Sequence, residues 1–199
     1  MYTIMSIDIK KKTNITMMGN IGVGKTSTLI HLQRYGISVA EERFIDSDIL
    51  DDFYKDMKNN SFIFQLQVLN DVCERSSMYT KTTIFERGLE DGLFVFSNVL
   101  HEEGNITNKQ LEILHNLYNH IDRSCKSDKF IYLRGGPETC MSRILSRGRE
   151  CEKNITLEYL TKIHNQYEDL VNGITYSNIL IIDAELTVEE NVVKILEFI

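Results

Sequence analysis

Short apolar runs alternate with longer stretches of helical periodicity along almost the whole chain. The runs at 15–18, 38–41, 82–85, 130–133 and 179–182 have strand length and are rich in Ile, Val, Phe and Tyr. Helical patterns at 25–35, 46–57, 62–79, 89–101, 108–124, 137–147, 157–172 and 188–199 fill the intervals. Strands separated by helices predict an α/β fold, a five-stranded parallel sheet flanked by helices. In such sheets ligands bind beyond the carboxyl ends of the strands. Proline occurs once, at Pro137, and no Gly/Ser-rich linker, internal repeat or low-complexity tract interrupts the pattern. One domain over 14–199 is expected, after a flexible lead-in at 1–13 that carries Met1, Met5 and Lys10-Lys11-Lys12.

Composition narrows the classes. The 199 residues are 42% hydrophobic and 26% charged, ordinary values for a globular domain. A net charge of −7 disfavours a nucleic-acid surface. No apolar run reaches the ~18 residues of a membrane span, and 1–13 lacks the apolar core of a secretory signal. A soluble cytoplasmic protein with neither nucleic acid nor membrane as partner is therefore expected. The cysteines, Cys73, Cys125, Cys140 and Cys151, form no CxxC pair, and the five histidines are scattered. Free thiols in a reducing compartment and no zinc site follow.

Chemistry enters at Gly19-Asn20-Ile21-Gly22-Val23-Gly24-Lys25-Thr26, a complete G-x-x-x-x-G-K-[ST] phosphate loop between a predicted strand and a predicted helix. The glycines let successive backbone N–H groups curl toward phosphate oxygens. Lys25 can reach the β/γ-phosphates, the Thr26 hydroxyl can ligate Mg²⁺, and the helix expected over 25–35, with Ser27 in its first turn, presents its positive end to the same anion. ATP with Mg²⁺ is the expected ligand pair.

Four further groups give the phosphate a destination. Glu86 and Arg87 end the third strand, where a carboxylate can hold Mg²⁺ and a guanidinium can meet a phosphoryl acceptor. Glu41 and Glu42 follow the second strand; either can accept the proton of an attacking hydroxyl. Arg143 and Arg147 share a helix face at i,i+4, and Gly148 then breaks the helix before Arg149, as in an arginine-rich lid. Gln65, Val68 and Val72 lie on one stripe of a helix beside Phe64. A glutamine amide there offers the donor and acceptor that read a pyrimidine edge.

These pieces resemble the non-zinc deoxyribonucleoside kinases, cellular and viral, that include deoxycytidine, deoxyguanosine and thymidine kinases. The resemblance runs from about Ile15 to the C-terminus. It is carried by Gly19–Thr26, by Tyr54 through Phe62-Ile63-Phe64-Gln65, by Phe85-Glu86-Arg87, by Tyr132-Leu133-Arg134 with Pro137-Glu138-Thr139-Cys140, and by Arg143 through Arg149 leading to Leu157-Glu158-Tyr159-Leu160. It implies a P-loop kinase fold with an arginine-rich lid, and a homodimer formed through 89–101 and 108–124. Glu42 matches the family's general base, Arg87 the arginine beside the 5′-hydroxyl and Glu86 the carboxylate near Mg²⁺. Gln65 matches the base-reading amide, Phe64 and Phe96 its aromatic packing, and Tyr54 with Glu152 the pair that binds the 3′-hydroxyl. Arg143, Arg147 and Arg149 match the lid arginines, and the segment near Asp183 the loop around the donor adenine.

The chain departs from the family in places. Glu42-Arg43-Phe44 replaces Glu-Pro-Val, Ser47 stands where a Trp is usual, Gly88 replaces a Ser, and Cys151 replaces the lid's first acid. Phe44 is the expected substitute for the missing Trp. Apolar Val68 and Val72, with no side chain at Gly92, leave room for a 5-methyl group, which points to thymidine first and deoxycytidine second. The resulting expectation is transfer of the ATP γ-phosphoryl to a deoxynucleoside 5′-hydroxyl. A thymidylate-type nucleotide kinase and a non-catalytic nucleotide switch are the alternatives.

Overall fold

The computed structural model describes residues 12–43 and 48–199. Most of the expected lead-in, together with Phe44 and Ser47, lies outside the described residues. Five parallel strands, β1 (Asn14–Met18), β2 (Val39–Ala40), β3 (Thr83–Glu86), β4 (Lys129–Arg134) and β5 (Ile179–Asp183), form one sheet in the order β2-β3-β1-β4-β5. β1 and β3 are buried along their whole length, as strands covered on both faces must be.

The helices are α1 (Lys25–Arg34), α2 (Asp48–Lys55), α3 (Met57–Met78), α4 (Ser97–Glu102), α5 (Asn108–His120), α6 (Pro137–Arg147), α7 (Leu157–Asn172) and α8 (Val188–Phe198). α3 begins five residues before the expected start at 62, because Asp56 caps it by accepting from the Asn59 N–H at 3.2 Å. α5 stops at His120, short of the expected 124. Ile121 is extended, and Asp122 instead caps a short 3₁₀ turn, Arg123–Cys125, through the Ser124 N–H. The expected helix at 89–101 contains a widened π-helical segment, Asp91–Phe96, that runs into α4. There the Ser97 N–H reaches back five residues to the Gly92 carbonyl, which also accepts from the Ser97 hydroxyl at 2.7 Å. Such single-turn widenings recur at functional sites, and this one presents Gly92 and Phe96 to the cavity described below.

Two apolar clusters hold the layers. The larger joins β1, β3, β4 and β5 to α1, α6, α7 and α8 through residues such as Met17, Leu29, Ile131, Ile163 and Ile195. The smaller joins α2, α3, the π-helical segment and α5 through Phe53, Phe64, Val68, Leu93 and Leu114. The cavity takes Ile21 and Val23 from the first cluster and Phe53, Phe64 and Val68 from the second. Among the described residues no helix is long and apolar enough to cross a membrane.

Candidate active site

A cavity of about 620 Å³ opens at the carboxyl ends of β1, β2 and β3, within the usual range for small-molecule sites. The phosphate loop forms one wall. Gly22, at φ 76°, lies so close to α6 that a Cβ would meet the Cys140 carbonyl at 2.7 Å; Gly24, at φ 109°, turns the chain into α1. Neither place suits an L side chain. Ile21, Val23, Gly24, Thr26 and Ser27 line the cavity together with Gly22. Gly19 and Asn20 do not; they shape the loop from behind. The Asn20 side chain donates to the Leu160 carbonyl of α7 and accepts from the Ile21 N–H, both at 2.8 Å. Gly19 sits against the Leu133 carbonyl of β4, 2.7 Å from where a Cβ would be.

Lys25 is buried and donates to the Gly19 and Asn20 carbonyls at 2.8 and 2.9 Å. Burial and the neighbouring Arg87 charge lower its pKa to about 8, against the pull of Glu86 and Glu42. The Thr26 hydroxyl donates to Glu86 Oε1 at 2.8 Å, while Glu86 Oε2 is buried without a hydrogen-bond partner among the described residues. No group of three or more His, Cys, Asp or Glu side chains able to hold a metal occurs among the described residues. An alcohol and one carboxylate with a spare oxygen suit Mg²⁺, which keeps waters and takes further oxygens from phosphate.

Across the cavity, Arg87 Nη1 donates to Glu42 Oε2 at 2.6 Å, with the Glu42 side chain 4% exposed. Glu41 is exposed and does not line the cavity, so of the two neighbouring acids the fold aims only Glu42 at the site. Burial opposes the charge of Arg87, but Glu42, Tyr167 and Asp91 together outweigh it, and the guanidinium pKa is raised well above its ordinary value. Arg87 has φ 52°, the one positive φ among the described non-glycine residues, and its guanidinium lies 4.9 Å over the Phe96 ring. A non-glycine residue held in the left-handed region is costly and collects at functional sites.

Gln65 is 2% exposed and lines the cavity, its Oε1 without a hydrogen-bond partner among the described residues. A buried, unpaired amide oxygen is expensive unless a ligand completes it. Val68 and Gly92 stand beside it: a Cβ on Gly92 would lie 3.4 Å from both Gln65 Oε1 and Val68 Cγ1. Val72, expected on this wall, is instead buried in the smaller apolar cluster and does not line the cavity; one more helical turn carries it past the opening. Phe64 stacks on Phe53 with centroids 4.4 Å apart, and both line the cavity. Phe53 was not among the expected residues, although its position beside Tyr54 on an amphipathic helix was a usable signal.

The lid arginines divide. Arg143 donates to the Val23 and Ala184 carbonyls, each at 2.8 Å, bridging the phosphate loop to the segment after β5. Arg147 makes a two-bond pair with Glu152, and Arg149 lies 3.8 Å from the same carboxylate. All three arginines line the cavity, as do Tyr54 and Glu152. Tyr54 is half-buried, and loss of solvent around its hydroxyl, with Tyr159 and Glu152 nearby, raises its pKa well above the ordinary tyrosine value. Asp183 does not line the cavity; it accepts from the Glu185 N–H at 2.9 Å and shapes the turn that presents Ala184 and Leu186. Asn191, from α8, also lines this side and was not anticipated.

Two supporting clusters explain local choices. A Cβ at Gly88 would meet Thr16 Oγ1 at 2.6 Å and Glu90 Oε2 and Ser127 Oγ at 3.1 Å. These three groups are bonded to one another, Thr16 to Ser127 at 2.6 Å and Ser127 to Glu90 at 2.7 Å, and occupy the space a serine at 88 would need. Asp91 is fully buried, accepting from the Gly88 N–H at 2.9 Å and the Tyr167 hydroxyl at 2.7 Å. Burial pushes its pKa up to about 6 against those hydrogen bonds and the charges of Arg87 and Lys25. A raised folded-state pKa contributes stability that is full below the unfolded value, 3.8, and lost as pH rises through about 6. Between pH 5 and pH 8 this group alone removes about 1 kcal/mol of stability. Asp91→Asn has no charge, keeps an oxygen for the Gly88 N–H and can turn its N–H toward the Tyr167 oxygen, so its urea-unfolding free energy is expected to gain on the wild type by about that amount over the same interval. Parallel wild-type and variant pH curves would remove Asp91 as the cause.

A phosphate loop facing a partly buried carboxylate–arginine pair across one cavity, on a parallel sheet of this order, defines the class of P-loop kinases. A family model described as deoxynucleoside kinase matches residues 15–198, and the chain belongs to that family of phosphotransferases. It is 32% identical over 181 residues to a deoxyadenosine kinase of Dictyostelium discoideum, covering 84% of this chain and 72% of that one. It is 30% identical over 182 residues to a deoxyguanosine kinase of Bacillus subtilis, with coverages of 87% and 83%. A solved structure of M. mycoides deoxyadenosine kinase with bound dCTP superimposes with TM-score 0.82 at 26% identity, covering 93% of this chain and 97% of that one.

Proposed function

We propose that this deoxynucleoside kinase transfers the γ-phosphoryl group of ATP to the 5′-hydroxyl of a deoxyribonucleoside, with Glu42 as general base. The observation that carries the reading is the partly buried Glu42–Arg87 pair, which faces the phosphate loop and Gln65 within one cavity. Gln65 fixes the acceptor base by its amide, with Phe64 and Phe53 as the apolar flank. Tyr54 and Glu152 hold the sugar. Glu42 accepts the proton of the 5′-hydroxyl as that oxygen attacks phosphorus, and Arg87 orients the carboxylate and the hydroxyl. Lys25 and the arginines at 143, 147 and 149 stabilise the charge that shifts toward the leaving phosphate. Thr26 and Glu86 would hold Mg²⁺, which when bound supplies charge neutralisation at the phosphate oxygens. Glu42 at the acceptor's 5′ end would repel an acceptor that already carries a phosphate, which weighs against a nucleotide kinase.

For the base, the open volume at Gly92 beside Val68 favours thymidine, then deoxycytidine. The deoxyadenosine and deoxyguanosine kinases among the relatives favour a purine as the second reading. Nucleoside-dependent ADP release with the four deoxynucleosides and with thymidine monophosphate tests both. Thymidine is expected to give the highest kcat/KM; a faster purine, or a faster monophosphate, overturns the corresponding part. Gly92→Ala puts a methyl 3.4 Å from Gln65 Oε1 and Val68 Cγ1. It is expected to lower kcat/KM for thymidine by about 10-fold and for deoxyuridine, which lacks the 5-methyl group, by much less. Equal losses on both would place the methyl group elsewhere.

A further inference from the structure

Arg75 is among the most deeply buried side chains of the protein, 2% exposed, yet it touches no part of the cavity. Its Nε donates to Asp71 Oδ2 at 2.6 Å, one turn back on α3. Nη1 donates to two carbonyls at once, Ala40 at 3.2 Å and Glu86 at 3.1 Å, and Nη2 reaches the Arg87 carbonyl at 3.5 Å. Ala40 and Glu86 are the last residues of β2 and β3. One guanidinium therefore gathers the two neighbouring strands at the point where each leaves the sheet. Two residues beyond Ala40 stands Glu42; immediately beyond Glu86 stands Arg87, in its left-handed conformation.

Burying a charged pair is costly, and its stability yield over an apolar substitute is small. What a planar fork does that an apolar side chain cannot is fix several acceptors in one geometry. Asp71 orients the fork from the opposite side and also lies 3.5 Å from Arg43. The same helix carries Gln65 ten residues upstream, about 15 Å along its axis. α3 thus reads the acceptor at one end and anchors the two chain segments that act on it at the other.

We propose that Arg75, oriented by Asp71, is a positioning residue for phosphoryl transfer: it sets the Glu42–Arg87 pair at the reacting end of the cavity without touching substrate. This rests on the roles proposed above for Glu42 and Arg87. Misplacement of a reacting group by about 1 Å can cost on the order of 100-fold in rate, so the effect falls on turnover rather than on nucleoside binding. Arg75→Lys keeps a cation on a flexible stem but loses the fork. Asp71→Asn leaves Arg75 in place and weakens its orientation. Arg43→Ala removes the other cation near Asp71, one that bonds none of the three carbonyls.

The test is steady-state kinetics of the full chain with ATP and whichever deoxynucleoside turns over fastest, with nucleoside Kd by calorimetry and thermal melts. Arg75→Lys is expected to lower kcat by about 10-fold or more and Asp71→Asn by about 3-fold or more, with nucleoside KM and Kd within about 2-fold. Arg43→Ala is expected to stay within about 2-fold in all three. If Arg75→Lys does not fold at the assay temperature, Asp71→Asn carries the comparison. Unchanged kcat in the folded variants, or a loss confined to KM, overturns the positioning role. Glu42→Gln assayed in parallel separates the two levels. Full activity there would overturn the base assignment itself, whereas an inactive Glu42→Gln beside fully active Arg75 and Asp71 variants overturns only the positioning.

Discussion

Replacing Glu42 by Gln is expected to lower kcat by about 100-fold or more while nucleoside Kd changes by less than about 3-fold. The amide keeps the shape of the side chain and an oxygen that can still accept from Arg87, which donates to Glu42 Oε2 at 2.6 Å. The pocket therefore stays assembled. What is lost is a group that can take the proton of the 5′-hydroxyl in the transition state, the kind of contribution usually worth 10² to 10⁴ in rate. Glu42→Ala is the less informative variant, because it also leaves a largely desolvated guanidinium without its carboxylate. Turnover by single-turnover quench, with nucleoside binding by calorimetry, reads the two effects separately. Retained turnover would move the base role, and Glu41 would be the next residue to replace, although it is exposed and outside the cavity.

Lys25→Met is expected to lower turnover by about 10²- to 10³-fold and to weaken ATP binding, with a smaller effect on the nucleoside. Methionine matches the stem in length, so the loop is not underfilled. The loop's shape rests on other contacts: the positive-φ glycines, the Asn20 bonds to Leu160 and Ile21, and the Arg143 bond to the Val23 carbonyl. The ammonium is the buried positive charge within the loop itself. It bonds two loop carbonyls at 2.8 and 2.9 Å, which it would leave or share when a phosphate presents stronger acceptors. Calorimetry with a non-hydrolysable ATP analogue, alongside a melt within a few degrees of wild type, checks that the loss is electrostatic. A variant that binds the analogue and turns over normally would transfer the role to the arginines.

Much of this architecture was readable residue by residue. The runs at 15–18 and 179–182 read as strands of a covered sheet, since they are apolar, too short for helices and set between helical patterns. The phosphate loop was legible because its glycines answer backbone demands that act locally. Resemblance to relatives placed Glu42, Gln65, Tyr54 and Glu152, and all four face one cavity. Other expectations needed the third dimension. Val72 shares a helical stripe with Gln65 and Val68, yet the packing of α3 puts it in the core. The three lid arginines look alike in the chain but divide, Arg143 onto main-chain carbonyls and Arg147 and Arg149 onto Glu152. The π-helical turn at Asp91–Phe96 left no mark on an apolar pattern that reads as ordinary helix.

The sequence by itself determined the sheet, its helices and the presence of a phosphate loop, because strand period, helix period and glycine placement are set by neighbours a few residues apart. Only the tertiary structure decided which acid lines the cavity, why a serine at position 88 would meet Thr16, Glu90 and Ser127, and that Arg75 bonds the ends of β2 and β3 together. Those outcomes depend on groups 35 to 111 positions apart in the chain coming into contact, as the Arg75 side chain meets the Ala40 carbonyl and Thr16 meets Ser127. No local period encodes such a meeting.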